Sequence, residues 1–262
     1  MSPRLFVPAA EVIAGVTELI IVGAAHRHLV RVLRLREGDA FVIFNGVGEE
    51  ISAKLERVGP DEARARLGAR QTLAAAPAHI TLLQAVAKGE RMDWVVQKTT
   101  ELGIAAIVPI LTRHVVVRLD QQAAEAKQRR WQLIAQEAAR QCGRADVPLV
   151  ERPVTLSEAL HGLAPGCRYA LWESAQGQPL HTSVGAEMRT VQLLIGPEGG
   201  LAEEEIETAK SFDFVPVTLG PRILRTETAA IVAVTLVQAA TGGLTSPPHT
   251  QQRLRNCSYT NT

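Results

Sequence analysis

Short apolar runs alternate with helical patterns from about residue 80 to residue 240, and this alternation constrains the fold more than any other feature of the chain. A short apolar run is typical of a buried strand, whereas apolar residues at intervals of three and four are typical of a helix. The predicted strands are Ile80–Ala85, Ala105–Leu111, Arg168–Trp172, Val191–Ile195 and Phe214–Leu219, and the predicted helices are Met92–Leu102, Gln121–Gln141, Glu203–Lys210 and Glu227–Ala240. Such alternation predicts an α/β fold with a parallel sheet that is covered by helices on both faces.

The first 70 residues have a different pattern, with short strands between turn signals. The dipeptide Asn45-Gly46 is a strong hairpin signal, and the segment after it alternates apolar with polar residues, as a half-buried strand does. The predicted strands are Phe41–Phe44, Glu50–Arg57 and Ala63–Leu67, and a short helix is predicted within Ala24–Arg36. The pattern therefore predicts a small β-rich barrel.

Two segments indicate where the domains end. Gln71–Ala78 is small and uncharged, contains a proline and resembles a linker. Gly242–Thr262 is polar, with two prolines, which is typical of disorder. We therefore expect a barrel domain over residues 1–72, an α/β domain over 73–243 and a disordered tail over 244–262.

The charge of the chain is balanced, with 28 Lys and Arg against 27 Asp and Glu. This balance excludes a protein that binds nucleic acid by bulk charge alone, but it leaves room for a local basic face. Counted by segment, residues 1–150 carry a net charge of +4 and the remainder carries −3. A surface that contacts a polyanion is therefore expected in the first part of the chain.

The cysteine pattern and the lack of long apolar segments indicate the cellular compartment of the protein. The cysteines, Cys142, Cys167 and Cys257, form no Cys-x-x-Cys pair, so a disulfide framework and a cysteine zinc site are disfavoured. No 18-residue apolar stretch occurs, and the N-terminus lacks the apolar run of a signal peptide. These features predict a soluble, cytoplasmic protein with no membrane partner.

Two glycine-containing loops each follow a predicted strand and precede a predicted helix. They are Leu194–Leu201 and Leu219–Ala229, and Thr226 is the expected cap of the helix after the second loop. Glycine lets a backbone approach a ligand closely, and open α/β sheets bind ligands at the carboxyl ends of their strands. One interpretation is a ligand site; the other is a pair of tight turns whose glycines only satisfy backbone geometry. Neither loop matches a P-loop or a dinucleotide-binding motif.

A basic run, His26–Arg36, contains four arginines and two histidines without an acidic residue. In a helix, Arg27, Arg31 and Arg34 would share one face, which suits contacts with phosphates. The alternative interpretation is a solvated helix face.

Other catalytic patterns are missing from the sequence. There is no Gly-x-Ser-x-Gly, which disfavours a serine hydrolase. Neither His-x-x-x-His nor His-Glu-x-x-His occurs, so no metal site is predicted. Cys142 is more typical of a small buried residue than of a nucleophile.

The two glycine loops together are specific enough to indicate a family. Gly196–Gly200 (Gly-Pro-Glu-Gly-Gly) and Leu219–Ala229 (Leu-Gly-Pro-Arg-Ile-Leu-Arg-Thr-Glu-Thr-Ala) resemble the paired signature of the RsmE family of bacterial 16S ribosomal RNA (uracil-N3)-methyltransferases. Supporting stretches are Val32–Asp39, Phe44–Gly46, Lys88–Asp93, Lys98–Gly103 and Glu137–Pro148. The resemblance covers about residues 3 to 242.

The resemblance implies an N-terminal PUA-like RNA-binding β-barrel and a C-terminal SPOUT-type α/β domain with a trefoil knot. It implies that S-adenosyl-L-methionine binds in the knot, that the protein is a homodimer through this domain, and that no metal is used. The implied substrate is N3 of uridine 1498 in 16S rRNA within the small ribosomal subunit.

The resemblance, the basic residues of the chain and the chemistry of methyl transfer together give the expected site residues. Expected cofactor contacts are Leu171, Trp172, Leu194, Ile195, Gly196, Pro197, Gly199, Gly200, Leu219, Gly220, Ile223, Leu224, Thr228 and Ala229, and expected RNA contacts are Arg4, Arg27, Arg31, Arg34, Lys88, Arg91, Lys98 and Arg144. Arg225 is the expected catalytic cation near the developing uracil oxyanion, unless it is a structural arginine paired with Glu198 or Glu227. Glu198 is a candidate proton acceptor.

Two other functions stay open at this point. One is a non-catalytic RNA-binding or ribosome-assembly factor that has kept the fold and lost turnover. The other is a methyltransferase that acts on a different RNA position.

Overall fold

In the computed structural model, which describes residues 2–114, 120–173 and 178–245, the chain forms two compact units, each with its own sheet. The first unit contains residues 2–75 and 139–147, and the second contains residues 76–138 and 148–245. Residues 139–147 belong to the first unit although they follow the expected linker by more than 60 residues. The tail predicted over 244–262 lies, from residue 246 onward, outside the described residues.

The sheet of the first unit has the strands β1 (Arg4–Phe6), β2 (Glu18–Val22), β3 (Ala40–Phe44), β4 (Glu49–Val58) and β5 (Glu62–Thr72). Their spatial order is β1-β3-β4-β5-β2, with a parallel pairing between β1 and β3 and antiparallel pairings elsewhere. The three strands predicted from the sequence are confirmed as β3, β4 and β5. The sequence pattern did not identify β1 and β2, which are the short strands at the two edges.

The predicted hairpin turn connects β3 to β4. Asn45 Oδ1 accepts hydrogen bonds from the backbone N–H groups of Val47 and Glu49, both at 3.0 Å. Gly46 has a φ of 81°, in the left-handed region that favours glycine. The dipeptide is thus confirmed as the turn that sets the register of the two strands.

The basic run forms a shorter helix than predicted. α1 (Gly23–Arg27) continues into one turn of π-helix (His28–Val32) and then ends. Arg27 and Arg31 are exposed on this helical segment, whereas Arg34 lies beyond it with a left-handed backbone, at a φ of 54°. The expectation that three arginines share one helical face is therefore wrong for Arg34, because the helix ends two residues before it.

Arg4 and Arg144, both expected to contact RNA, are engaged within the first unit. Arg4 is only 4% exposed, and its guanidinium pairs with the buried Glu50. The same guanidinium donates a hydrogen bond to the backbone oxygen of Arg144 at 2.6 Å and lies 5.0 Å from the centroid of the Phe44 ring. The prediction is wrong for Arg4, because a phosphate has no access to a buried guanidinium. The Arg144 side chain is itself largely buried and pairs with Asp146.

The second unit contains the predicted parallel sheet. Its strands are β6 (His79–Ala85), β7 (Ala106–Leu111), β8 (Leu149–Val150), β9 (Val154–Thr155), β10 (Cys167–Leu171), β11 (Thr190–Ile195) and β12 (Val215–Val217). The order is β12-β10-β11-β6-β7-β8, with β9 also paired to β7, and each of these pairings is parallel. The five predicted strands and the α/β class are confirmed. The two-residue strands β8 and β9 are too short to produce a pattern.

The helices of this part of the chain are α2 (Arg91–Glu101), α3 (Gln121–Cys142), α4 (Leu156–His161), α5 (Leu180–Ser183), α6 (Glu203–Ser211) and α7 (Thr226–Thr241). One face of the sheet packs against α4 and α6, in a cluster that includes Leu83, Leu194 and Ile206. α7 contacts β6 and β11 on the opposite face, where Gln84 lies, because successive strand residues alternate between faces. Over the described ranges, no helix has the length and apolar character needed to cross a membrane.

We expect Arg4→Met to lower the free energy of unfolding by about 3–5 kcal/mol, because it leaves the buried Glu50 carboxylate without its guanidinium partner. Urea denaturation followed by circular dichroism measures this loss. The matched control is Arg64→Met in the same sheet: that side chain is 54% exposed, and its loss should change stability by less than about 0.5 kcal/mol. Equal effects of the two substitutions would show that the buried pair does not stabilise this unit.

Candidate functional site

The carboxyl ends of three adjacent strands lie at one level in the second sheet. Leu171 at the end of β10 is in register with Ile195 at the end of β11 and with Val217 at the end of β12. Because the strands are parallel, the segments that follow them leave the sheet at the same edge. The two glycine loops and the segment after β10 are therefore neighbours.

A cavity of about 510 Å³ opens between these segments. Of the expected cofactor contacts, those that line it are Leu171, Trp172, Ile195, Gly196, Pro197, Gly200, Leu219, Gly220, Ile223, Leu224 and Ala229. Both residues proposed as catalytic, Glu198 and Arg225, also line it. The structure thus brings together residues that are up to 58 positions apart in the chain.

Three expected cofactor contacts do not line the cavity. Leu194 is fully buried in the core on the face that packs against α4 and α6. Gly199 faces His114 instead: a Cβ atom added at Gly199 would lie 3.2 Å from His114 Cβ. Thr228 is exposed on the first turn of α7.

Several lining residues were not identified from the sequence. They are Glu173, Leu201, Val217, Thr218, Pro221, Arg222 and Thr226. Most of them lie within or directly beside the two motifs, so the only signal that could have found them is adjacency to a motif residue.

The glycines of the two loops are required by the backbone itself. A Cβ at Gly196 would lie 3.0 Å from both the backbone nitrogen and Cγ of Leu201, closer than such atoms normally approach. Gly200 and Gly220 have φ values of 72° and 106°, which favour glycine. The loops are therefore tight turns, and the same turns line the cavity; that they bind a ligand stays a prediction.

The hydroxyl of Thr226 connects the two glycine loops through the sheet. Thr226 Oγ1 donates a hydrogen bond to the backbone oxygen of Gly196 at 2.7 Å and accepts one from Gln84 Nε2 at 2.9 Å. Thr226 and Gln84 are both buried. The expectation that Thr226 caps α7 is wrong, because Arg225 occupies the cap position and the Thr226 hydroxyl bonds across the sheet edge instead.

The charged residues that line the cavity are Glu173, Glu198, Arg222 and Arg225. Glu198 accepts hydrogen bonds from the Lys88 backbone N–H at 3.1 Å and from the Arg91 guanidinium. Partial burial opposes ionisation of Glu198, but the hydrogen bonds from its own backbone, from Lys88 and from Arg91, together with the Arg91 charge, lower its pKa below the usual value. Glu198 is therefore a carboxylate at neutral pH.

Arg225 is exposed at the start of α7 and lines the cavity. In the part of the chain that the structure describes, its side chain makes no ion pair and no hydrogen bond, and Glu198 pairs with Arg91 instead. The alternative in which Arg225 is a structural arginine held by Glu198 or Glu227 does not match this geometry. Its guanidinium is available to a ligand.

Comparisons with known proteins agree with this architecture. A family model described as an RNA methyltransferase domain matches residues 74–238, and one described as an RNA methyltransferase PUA domain matches residues 23–68. The chain is 34% identical over 232 residues to the ribosomal RNA small subunit methyltransferase E of Bacillus subtilis (strain 168), which covers 84% of this chain and 90% of that protein. The chain belongs to the ribosomal RNA small subunit methyltransferase E (RsmE) family.

Further members of the RsmE family align over most of the chain. The protein of that name from Synechocystis sp. is 32% identical over 248 residues, covering 91% of this chain and 78% of its own length. The crystal structure of the Neisseria gonorrhoeae protein, bound to S-adenosyl methionine, matches with a TM-score of 0.82 at 31% identity, covering 91% of this chain and 98% of that one. The predicted family and its two-part fold, a PUA-like sheet followed by an α/β domain, are confirmed; the knot stays a prediction.

The remaining expected RNA contacts lie in different surroundings. Lys88 is exposed at the carboxyl edge of β6. Lys98 is half-buried; it pairs with Glu101 at 2.8 Å and lies over the Trp94 ring.

Within the described ranges, no group of three or more His, Cys, Asp or Glu side chains is placed to hold a metal ion.

We expect Thr226→Val to destabilise the second unit by about 1–3 kcal/mol, because it leaves the buried Gln84 amide and Gly196 carbonyl without their shared partner. Thermal unfolding by calorimetry measures the loss. The control is Thr235→Val in the same helix; within the described ranges, the Thr235 hydroxyl bonds only to the Ile231 carbonyl of that helix. If both variants unfold at the same temperature, the bridge contributes nothing beyond an ordinary helix hydroxyl.

Proposed function

We propose that this protein transfers a methyl group from S-adenosyl-L-methionine to N3 of a uridine, uridine 1498, in 16S rRNA of the small ribosomal subunit. The observation that carries the proposal is the cavity itself, which both signature loops of an RsmE family member line at the carboxyl edge of the sheet. The relatives that share this architecture are named for methylation of small-subunit ribosomal RNA.

The residues around the cavity fit a cofactor of this kind. Its volume of about 510 Å³ is in the range of small-molecule sites, which are about 300–1,000 Å³. Apolar side chains such as Leu171 and Leu224 offer surfaces for an adenine ring, and loop backbone groups offer hydrogen bonds. The Neisseria gonorrhoeae relative was crystallised with S-adenosyl methionine bound. When bound, the cofactor supplies an activated methyl group on a sulfonium.

The chemistry of the target assigns a role to Arg225. N3 lies on the Watson–Crick edge of uracil, so the base must be unpaired or flipped out before it can react. Loss of the N3 proton places negative charge on the uracil oxygens, and a cation is most effective where charge develops in the transition state. Arg225, which lines the cavity without an acidic partner among the described residues, fits this role.

RNA contacts are proposed at residues whose side chains are accessible. In the first unit these are Arg27 and Arg31 on the helical segment and Arg34 beyond it; in the second unit Lys88 is exposed. Such guanidinium and ammonium groups bind phosphates without reading sequence. We further propose that the protein acts in the cytoplasm as a homodimer formed through its C-terminal domain.

The test is transfer of labelled methyl from S-adenosylmethionine to small ribosomal subunits that lack the modification, with free 16S rRNA in parallel. Label at N3 of a single uridine would support the proposal and show which substrate is preferred. Label at another nucleotide would indicate a different RNA position. Absence of cofactor binding would favour a non-catalytic assembly factor, which has no need of a methyl donor.

We expect Arg225→Ala to reduce the rate of methyl transfer by roughly 10²–10³-fold, in the range seen when one group that stabilises an oxyanion is removed. Cofactor affinity, measured by calorimetry, should change little, because the backbone of both loops stays intact. The control is Arg189→Ala, an exposed arginine beside the amino end of β11, at the opposite edge of the sheet. Equal losses of rate and affinity in Arg225→Ala would show that Arg225 has a structural role.

A further inference from the structure

Arg91 and Glu198 meet because the strands before them are neighbours. β6 and β11 are parallel and in register, with Gln84 opposite Ile195. α2 begins at Arg91 soon after β6, and Glu198 follows β11 by three residues. Two segments that are more than 100 residues apart in the sequence are thus joined at the edge of the sheet that carries the cavity.

The two oxygens of Glu198 are in different surroundings. Oε1 accepts the hydrogen bonds that come from other residues, the Lys88 backbone and Arg91. Oε2 accepts none from another residue in the described ranges, and the side chain lines the cavity. A hydrogen bond of 3.0 Å from Gly200 N–H to the Pro197 carbonyl closes the turn that carries Glu198. The turn therefore fixes the backbone of Glu198, and Arg91 fixes one oxygen of its carboxylate. The other oxygen is left for a ligand.

We propose that Arg91 is a positioning residue for methyl transfer, which holds the Glu198 carboxylate at the cavity so that Oε2 accepts the N3–H of the target uracil. This inference rests on the proposed function. It gives Arg91 a different role from the phosphate contact expected from the sequence, because its guanidinium is already bonded to a carboxylate.

The bonds and the proton balance in this step. As the bond between N3 and the methyl carbon forms, the bond between that carbon and sulfur breaks, and its electron pair stays on sulfur. The electron pair of the N3–H bond stays on nitrogen while the proton moves to Glu198 Oε2, from which water removes it. Only the ionised carboxylate can accept this proton, and Arg91 favours that form. The other charged groups around the cavity are Glu173, Arg222 and Arg225.

The test is a double-mutant cycle on the single-turnover rate, with saturating S-adenosylmethionine and small ribosomal subunits as substrate. We expect Glu198→Gln to lower the rate roughly 10²-fold, as loss of a proton acceptor does. Arg91→Ala should lower it about tenfold in the wild-type background, because the carboxylate is no longer held in position beside the base. In the Glu198→Gln background, Arg91→Ala should have almost no further effect, because residues that act as a unit are not additive.

The pH dependence separates positioning from a general structural role. Removing Arg91 takes away a positive charge and a hydrogen bond that stabilise the Glu198 carboxylate, so its pKa rises. The acid limb of the plot of rate against pH should therefore move to higher pH in Arg91→Ala. In Arg91→Lys it should move back part of the way toward its wild-type position. A structural defect would lower the whole profile without moving the limb, and that result would overturn the inference.

The matched control is Arg113→Ala. Arg113 pairs with Glu204 at 3.2 Å and likewise joins the segment after β7 to the segment after β11, but neither residue lines the cavity. Its rate and pH profile should match the wild type. If Arg91→Ala instead raises the KM for RNA and adds fully to Glu198→Gln, Arg91 contacts RNA and the inference is wrong. If the wild-type protein binds the cofactor but methylates no RNA, the proposed function is wrong. The wild-type assay shows this before any variant is made, so that outcome is distinct from failure of the inference.

Discussion

The hydrogen bonds of the buried Thr226 hydroxyl hold the site together. One oxygen atom joins the Gln84 amide of β6 to the Gly196 carbonyl after β11, and it does so from the first residue of α7. These groups are buried, so loss of the hydroxyl takes its partner from the Gly196 carbonyl and one of two acceptors from the Gln84 amide, which also donates to the Ala85 carbonyl at 3.0 Å. These two hydrogen bonds thus link the start of α7 to the first glycine loop and to β6, beside the cavity.

The arginines of this chain show how surroundings determine the role of a side chain. Arg4 is buried with Glu50 and stabilises the first unit; Arg91 is bonded to Glu198 beside the cavity; Arg225 lines the cavity with no acidic partner among the described residues. All three guanidinium groups carry the same charge. Only the partner and the solvent exposure distinguish a structural ion pair from a positioning contact and from a group that is available to a ligand.

Long, regular patterns in the sequence predicted their elements correctly. The helices α2, α3, α6 and α7 begin and end within one residue of the expected positions, because each is long enough to show a sustained pattern of apolar residues. The Asn45-Gly46 turn was equally clear. The prediction was weaker where the pattern is short: the edge strands β1 and β2 were not identified, and the π-helical turn after α1 ended the basic helix before Arg34. An element of only a few residues shows too little periodicity to be predicted, and its structure depends mainly on its tertiary contacts.

The sequence by itself determined the α/β class and the two loops that line the cavity, because apolar periodicity and glycine spacing are local properties that a linear chain displays directly. The family followed from the resemblance of those two loops to the paired RsmE signature. It did not determine which polar side chains meet. Glu198 and Arg91, Thr226 and Gln84, and Arg4 and Glu50 are pairs from distant segments. Strand order and register bring each pair together, and those depend on long-range pairing, so only the tertiary structure decided the electrostatics of the site.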